Sequence, residues 1–154
     1  MGDRSVTRNC GPDLARVGAG LPVAAYRDEI TTALHGGRAV IVAPPGTGKT
    51  TFVPPLVASR CSGRVIVTQP RRVAARAAAR RLAALTGTRP GEFASHTVHG
   101  ESTTTRDTKV EFVTTGVLLR RLLSDPDLTG VDAVVLDEVH ERHPVSYTHL
   151  RAHE

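Results

Sequence analysis

Apolar residues along the chain fall into short β-branched runs separated by longer stretches with helical spacing. Arg38–Val42, Arg64–Thr68, Lys109–Thr114 and Ala133–Leu136 read as strands, and Lys49–Ala58, Arg71–Leu85 and Val117–Ser124 as helices. His35-Gly36-Gly37, Ser62-Gly63 and Thr129-Gly130 mark turns just ahead of strands. Strand and helix in alternation are the signature of βαβ units, so the expected fold class is α/β with a mostly parallel sheet. The runs RVIVT and AVVLD are apolar without alternation, which predicts strands covered on both faces and helices on both sides of the sheet. Pro54 and Pro55 each remove a backbone donor, so the first helix is expected to start late, bend or stop early.

Composition adds the scale. The chain has 154 residues, 40% apolar and 23% charged, which suits one ordinary globular domain. Residues 1–20 carry glycines without a sustained period and read as a flexible lead-in, so the ordered domain is expected over 21–144. No apolar run approaches the ~18 to 20 residues of a membrane span, and charges scattered through the first twenty residues leave no signal peptide, which predicts a cytoplasmic protein with no membrane partner. Cys10 and Cys61 share no metal-ligand spacing and are expected to be reduced thiols. A net charge of +5 suits a polyanionic partner without proving one.

The last ten residues, 145–154, leave the alanine-, arginine- and valine-rich style of the text before them and hold two of the seven histidines and one of the two tyrosines. Allowed codons for them spell, in one frame, the end sequence and adapter of transposase-based sequencing libraries. They read as a non-native tail with Pro144 at the junction, and they are set aside from fold reasoning, leaving an incomplete domain truncated at its C-terminal end.

Two motifs carry chemistry. After the first expected strand, Ala43-Pro44-Pro45-Gly46-Thr47-Gly48-Lys49-Thr50-Thr51 matches the phosphate-loop pattern G-x-x-x-x-G-K-[ST] except that Ala43 replaces the first glycine. Gly46 and Gly48 permit a tight backbone turn around phosphate oxygens, and the helix that follows aims free N–H groups at the same place. Lys49 supplies a charge for the β- and γ-phosphates and Thr50 a hydroxyl for Mg²⁺. The second motif is Val134-Val135-Leu136-Asp137-Glu138-Val139-His140, an apolar strand that delivers two carboxylates at its C-terminal end. Asp137 is expected to hold Mg²⁺ and Glu138 to orient and deprotonate water. His140-Glu141-Arg142-His143 has one residue too few for a zincin, and no structural metal is expected.

The loop APPGTGKT, Thr68-Gln69-Pro70-Arg71-Arg72, Thr114-Thr115-Gly116 and Asp137-Glu138-Val139-His140 together resemble the motif set of DEAH-box helicases, in the order of that family's first RecA-like domain. The likeness is greatest to the bacterial HrpB-type ATP-dependent helicases and covers about residues 21–143. It implies a RecA-like P-loop NTPase domain in which Pro45, Gly46, Thr47, Gly48, Lys49, Thr50 and Thr51 bind ATP, with Lys49, Asp137 and Glu138 serving catalysis and Thr50 and Asp137 holding Mg²⁺. The same resemblance implies that His140 couples the two sites and that Arg71, Arg72, Thr114, Thr115 and Gly116 face single-stranded nucleic acid, with RNA favoured over DNA and the choice left open. It also places a Ser-Ala-Thr motif and a second domain with catalytic arginines outside this chain, so the fragment alone is expected to be inactive. Two other readings stay open: a nucleotide-binding module without turnover, and a small-molecule kinase using the same loop. The TQPRR and TTG segments speak against the kinase. Arg76, Arg80 and Arg81 read as a solvated helix face. At Ala94-Ser95-His96 and at His99 the chain departs from the family's common residues, and those positions receive no role.

Overall fold

A computed structural model describes residues 11–139. Its strands are β1 (Arg64–Gln69), β2 (Ala94–Val98), β3 (Glu101–Ser102), β4 (Val110–Thr114) and β5 (Val131–Leu136). The helices are α1 (Leu14–Gly18), α2 (Arg27–Leu34), α3 (Lys49–Ala58), α4 (Arg72–Thr86) and α5 (Thr115–Ser124), with a 3-10 turn at Pro22–Tyr26. The sheet runs β3-β2-β4-β1-β5, parallel throughout except for the β2–β3 hairpin. The expected α/β class with helices on both faces therefore holds.

Strand alternation builds the two faces. Val65, Val67, Val110 and Phe112 pack with α3 and α4 on one side, while Ile66 and Val113 meet Val117 and Leu118 of α5 on the other. Helix α3 spans the residues expected of it, with both prolines inside and Phe52 through Ala58 buried without a break. It does not start late or stop early. An interior proline costs about 3 kcal/mol, and burying Phe52, Val53, Leu56 and Val57 at roughly 1.5 to 3 kcal/mol each offsets the pair.

The structure differs from what the sequence predicts at four places. Residues 38–42 form no strand: Val40 and Val42 stand 93% and 91% exposed, and Ile41 alone packs against the core. An apolar run predicts a wish for burial and says nothing of a pairing partner. Strand β5 is not covered on both faces, since Val134 and Leu136 are 41% and 50% exposed. It is the sheet's edge strand, and α5 packs over β4 and β1 instead. The lead-in is structured from Leu14 to Gly18, where Asp13 caps the helix through the Arg16 N–H and buries Leu14 and Val17. Strand β2 was not expected at all, because its Ser95 and His96 are polar yet buried.

A buried ionic cluster pins α5 to the sheet. Glu111 of β4 is wholly buried and accepts two hydrogen bonds from Arg121 of α5, at 2.8 and 2.5 Å, one from Arg64 of β1 and one from the Thr97 hydroxyl. Burial alone would push its carboxyl up. The hydrogen bonds from Arg121 and Thr97 and the charges of Arg121 and Arg64 outweigh that and hold it at about 2.

Candidate nucleotide and nucleic-acid site

The sheet's C-terminal ends gather the chemistry. Strands β1, β4 and β5 run parallel, and their registers place Gln69 opposite Thr114 and Thr68 opposite Leu136. The chain past these ends therefore brings Arg71 and Arg72, after Pro70, from β1, Thr115 and Gly116 from β4, and Asp137 and Glu138 from β5. In open α/β sheets this is the edge at which ligands bind.

The phosphate loop approaches the same edge from α3. Gly46 and Gly48 have φ of 79° and 90°, the left-handed region that glycine alone enters without strain. A Cβ on Gly48 would also stand 2.9 Å from the Leu21 side chain, whereas one on Gly46 would meet open space. The Thr47 hydroxyl donates to the Pro44 carbonyl at 2.9 Å, and the Thr47 carbonyl accepts from the Val23 N–H at 3.0 Å, which ties the loop to the 3-10 turn. The Lys49 ammonium reaches across the loop to the Ala43 carbonyl. Lys49, Thr50 and Thr51 form the first turn of α3, so the free N–H groups of its N-terminus face the loop.

Loop and strand meet at Asp137. Its Oδ2 accepts from the Thr50 hydroxyl at 2.5 Å and from the Gln69 side-chain amide at 2.7 Å, and its Oδ1 accepts from the Glu138 N–H at 2.9 Å. Thr50 and Asp137 lie 87 positions apart in the chain, so the fold alone brings them together. Glu138 adopts φ 55°, an uncommon conformation for a residue with a side chain. Gln69, buried at 3% exposure, was not among the expected site residues. Its position within the TQPRR run was a usable signal.

Arg71 and Arg72 are exposed, with Arg71 at the N-cap position of α4 and Arg72 its first residue. Thr114 stands at the N-cap position of α5 without a side-chain cap bond, and Thr115 and the exposed Gly116 open that helix. Arg76, further along α4, is ion-paired with Glu101. Hydrogen bonds from Arg76 and then His96 hold the Glu101 carboxyl below its usual range. His140 and the His140–His143 run lie outside the described residues, as does the segment 145–154.

The family model of the DEAD/DEAH box helicases matches residues 26–149. The chain belongs to that family. It is 42% identical over 125 residues to the ATP-dependent RNA helicase HrpB of Escherichia coli, covering 79% of this chain and 16% of that protein. It is 41% identical over 132 residues to the DExH-box ATP-dependent RNA helicase DExH3 of Arabidopsis thaliana, covering 79% of this chain and 11% of that one. The crystal structure of the Escherichia coli DEAH/RHA helicase HrpB aligns with a TM-score of 0.78 at 39% identity, over 82% of this chain and 17% of the other. The chain thus spans less than a fifth of each of these helicases. Among the described residues no helix is long and apolar enough to cross a membrane.

Proposed function

We propose that the chain is the ATP-binding part of an ATP-dependent RNA helicase, in which nucleic-acid-stimulated ATP hydrolysis drives strand unwinding in the cytoplasm. One observation carries this reading: the Thr50 hydroxyl of the phosphate loop and the Asp137 carboxylate that follows β5 meet at 2.5 Å, at the sheet edge that also presents Arg71, Arg72 and residues 114–116. Residues 21–144 form the proposed domain, and 145–154 take no part in it.

In this reading the loop 45–51 and the N-terminus of α3 cradle the triphosphate, and Lys49 leaves the Ala43 carbonyl to balance charge on the β- and γ-phosphates. The hydroxyl of Thr50 and the carboxylate of Asp137 are hard oxygen donors that fit Mg²⁺, which when bound neutralises charge on the phosphate oxygens. Glu138 aligns water and takes its proton as the water attacks the γ-phosphorus and the bond to the β,γ-bridging oxygen breaks, releasing ADP and phosphate. The left-handed backbone of Glu138 supports a functional placement, since strain of this kind collects at active sites. Arg71, Arg72 and the N-terminus of α5 grip phosphates of the strand without reading bases. His140 is proposed to couple the two ends. Arginines outside this chain would complete the site, so the chain by itself is proposed to bind ATP and not to turn it over.

The test uses a full-length protein carrying these residues. Single-stranded RNA should stimulate its ATP hydrolysis, and Lys49→Ala should abolish nucleotide binding by calorimetry. Replacing Arg71 and Arg72 together by alanine should weaken unrelated RNA sequences equally and flatten the salt dependence by roughly 0.7 log units for each arginine–phosphate pair removed. Unchanged RNA affinity and unchanged slope would remove these arginines from the nucleic-acid face.

A further inference from the structure

We propose that Gln69 is a positioning residue that ties the Asp137 carboxylate to the strand-binding loop, so that nucleic acid and nucleotide sense each other through one side-chain amide. The inference rests on the proposed nucleic-acid role of Arg71 and Arg72 and adds to it a route to the nucleotide.

The register makes Gln69 the middle of a row. Thr114 is its partner on β4, and on the other side Asp137 lies one step past the Thr68–Leu136 pair. A residue from the candidate strand-binding face and one from the candidate Mg²⁺ site thus flank the same residue. The Gln69 amide donates to Asp137 Oδ2 at 2.7 Å, the oxygen that also accepts from Thr50. The third donor, the Glu138 N–H, belongs to the adjacent residue and moves with Asp137. Among the described residues, Thr50 and Gln69 fix the carboxylate against the rest of the molecule, one from the phosphate loop and one from β1.

Burial sharpens the point. At 3% exposure on a strand between two others, an apolar side chain is the inexpensive choice, and an amide is tolerated only when paired. Among the described residues no buried side-chain nitrogen or oxygen lacks a partner, so the pairing to Asp137 is kept. On the chain's other side a single residue, Pro70, separates Gln69 from Arg71. Proline has a fixed φ and no N–H, so it is a stiff link. A phosphate held by Arg71 and Arg72 pulls on the end of β1, and that displacement reaches Asp137 through the amide. By linkage, a ligand on Asp137 acts back on the strand-binding loop by the same factor.

The experiment is equilibrium binding of a fluorescent ADP with Mg²⁺ to the full-length protein, with and without saturating poly-uridine RNA. In the wild type, RNA should change nucleotide affinity by about five-fold or more, the lower end of ordinary coupling. In Gln69→Leu, which keeps the bulk and loses the donor, the factor should fall to within about two-fold of one, while RNA affinity and its salt slope without nucleotide stay at wild-type values. Gln69→Asn, whose amide is one methylene too short to reach Asp137, should do the same and covers the case in which the leucine variant fails to fold. Coupling retained in either folded variant overturns the proposal, as does a wild type that binds RNA with no effect on nucleotide. A wild type whose RNA binding ignores Arg71 and Arg72 instead defeats the nucleic-acid reading, and that result is visible without any Gln69 variant.

Discussion

Glu111 and Asp137 are both carboxylates held by several donors at one sheet, Glu111 within β4 and Asp137 just past β5, and their surroundings differ in charge. Glu111 sits on β4, in the middle of the sheet, wholly buried, with two guanidiniums against it. Asp137 follows the edge strand β5, partly exposed, and among the described residues its donors are a hydroxyl, an amide and a backbone N–H, all neutral. A carboxylate whose charge is already answered by arginine holds elements together. One that is oriented by neutral donors is, under the proposed function, open to a cation that arrives with the nucleotide.

The largest expected effect lies beside Asp137. Glu138→Gln in the full-length protein should lower steady-state ATP hydrolysis by roughly 10² to 10⁴, with nucleotide affinity kept, because the amide has the carboxylate's shape and cannot take the proton. Turnover within a few-fold of wild type would leave the base unassigned.

Next in size is the buried cluster. Glu111→Ala leaves Arg121 and Arg64 without their partner and should destabilise the fold by about 3 to 5 kcal/mol in denaturant titration. The pH dependence has a definite sign. The folded pKa of Glu111 is lowered to about 2, below its unfolded value, so its stabilising contribution is complete above about pH 5 and is lost as the pH falls toward 2. The wild type should therefore lose stability over that window, and Glu111→Gln should show a shallower acid limb there.

Most of the nucleotide half of this comparison was legible in the sequence, and most of the structural half was not. The loop 44–51 and the pair Asp137-Glu138 are contiguous motifs whose residue types follow from the chemistry of phosphate and Mg²⁺, so they can be read without a fold. The bounds expected for helix α3 match the observed ones, whereas the late start or early stop expected from Pro54 and Pro55 does not occur. The Glu111–Arg121–Arg64 cluster and the Gln69–Asp137 bond arise only from strand register, which no local pattern encodes. Strand β2 escaped notice for a related reason: its buried Ser95 and His96 and its half-buried Thr97 are satisfied by Thr103, Thr104, Glu101 and Glu111 rather than by apolar neighbours. Segment 38–42 departs in the opposite sense, with a strand-like composition and no strand formed. In α1 the signal lies in Asp13, Leu14 and Val17, within a stretch whose glycines interrupt any helical period.

The smallest effect calibrates the rest. Arg76 and Glu101 form an ion pair at the surface, with their side chains 33% and 42% exposed. Arg76→Ala should change stability far less than Glu111→Ala does, and added salt should reduce even that small effect. A loss as large as that of Glu111→Ala would mean that exposure is a poor guide to which carboxylates matter here.

The central claim, that Asp137 serves a cation and Glu111 serves the fold, is tested most directly by measuring ADP affinity against Mg²⁺ concentration, together with thermal midpoints, in Asp137→Asn and Glu111→Gln of the full-length protein. Asp137→Asn should lose the Mg²⁺-dependent tightening by about ten-fold or more while melting near the wild type. Glu111→Gln should melt several degrees lower and keep the wild-type Mg²⁺ dependence. If instead Asp137→Asn binds Mg²⁺ and nucleotide as the wild type does, or if Glu111→Gln alone loses the Mg²⁺ effect, the two carboxylates have been assigned the wrong way round.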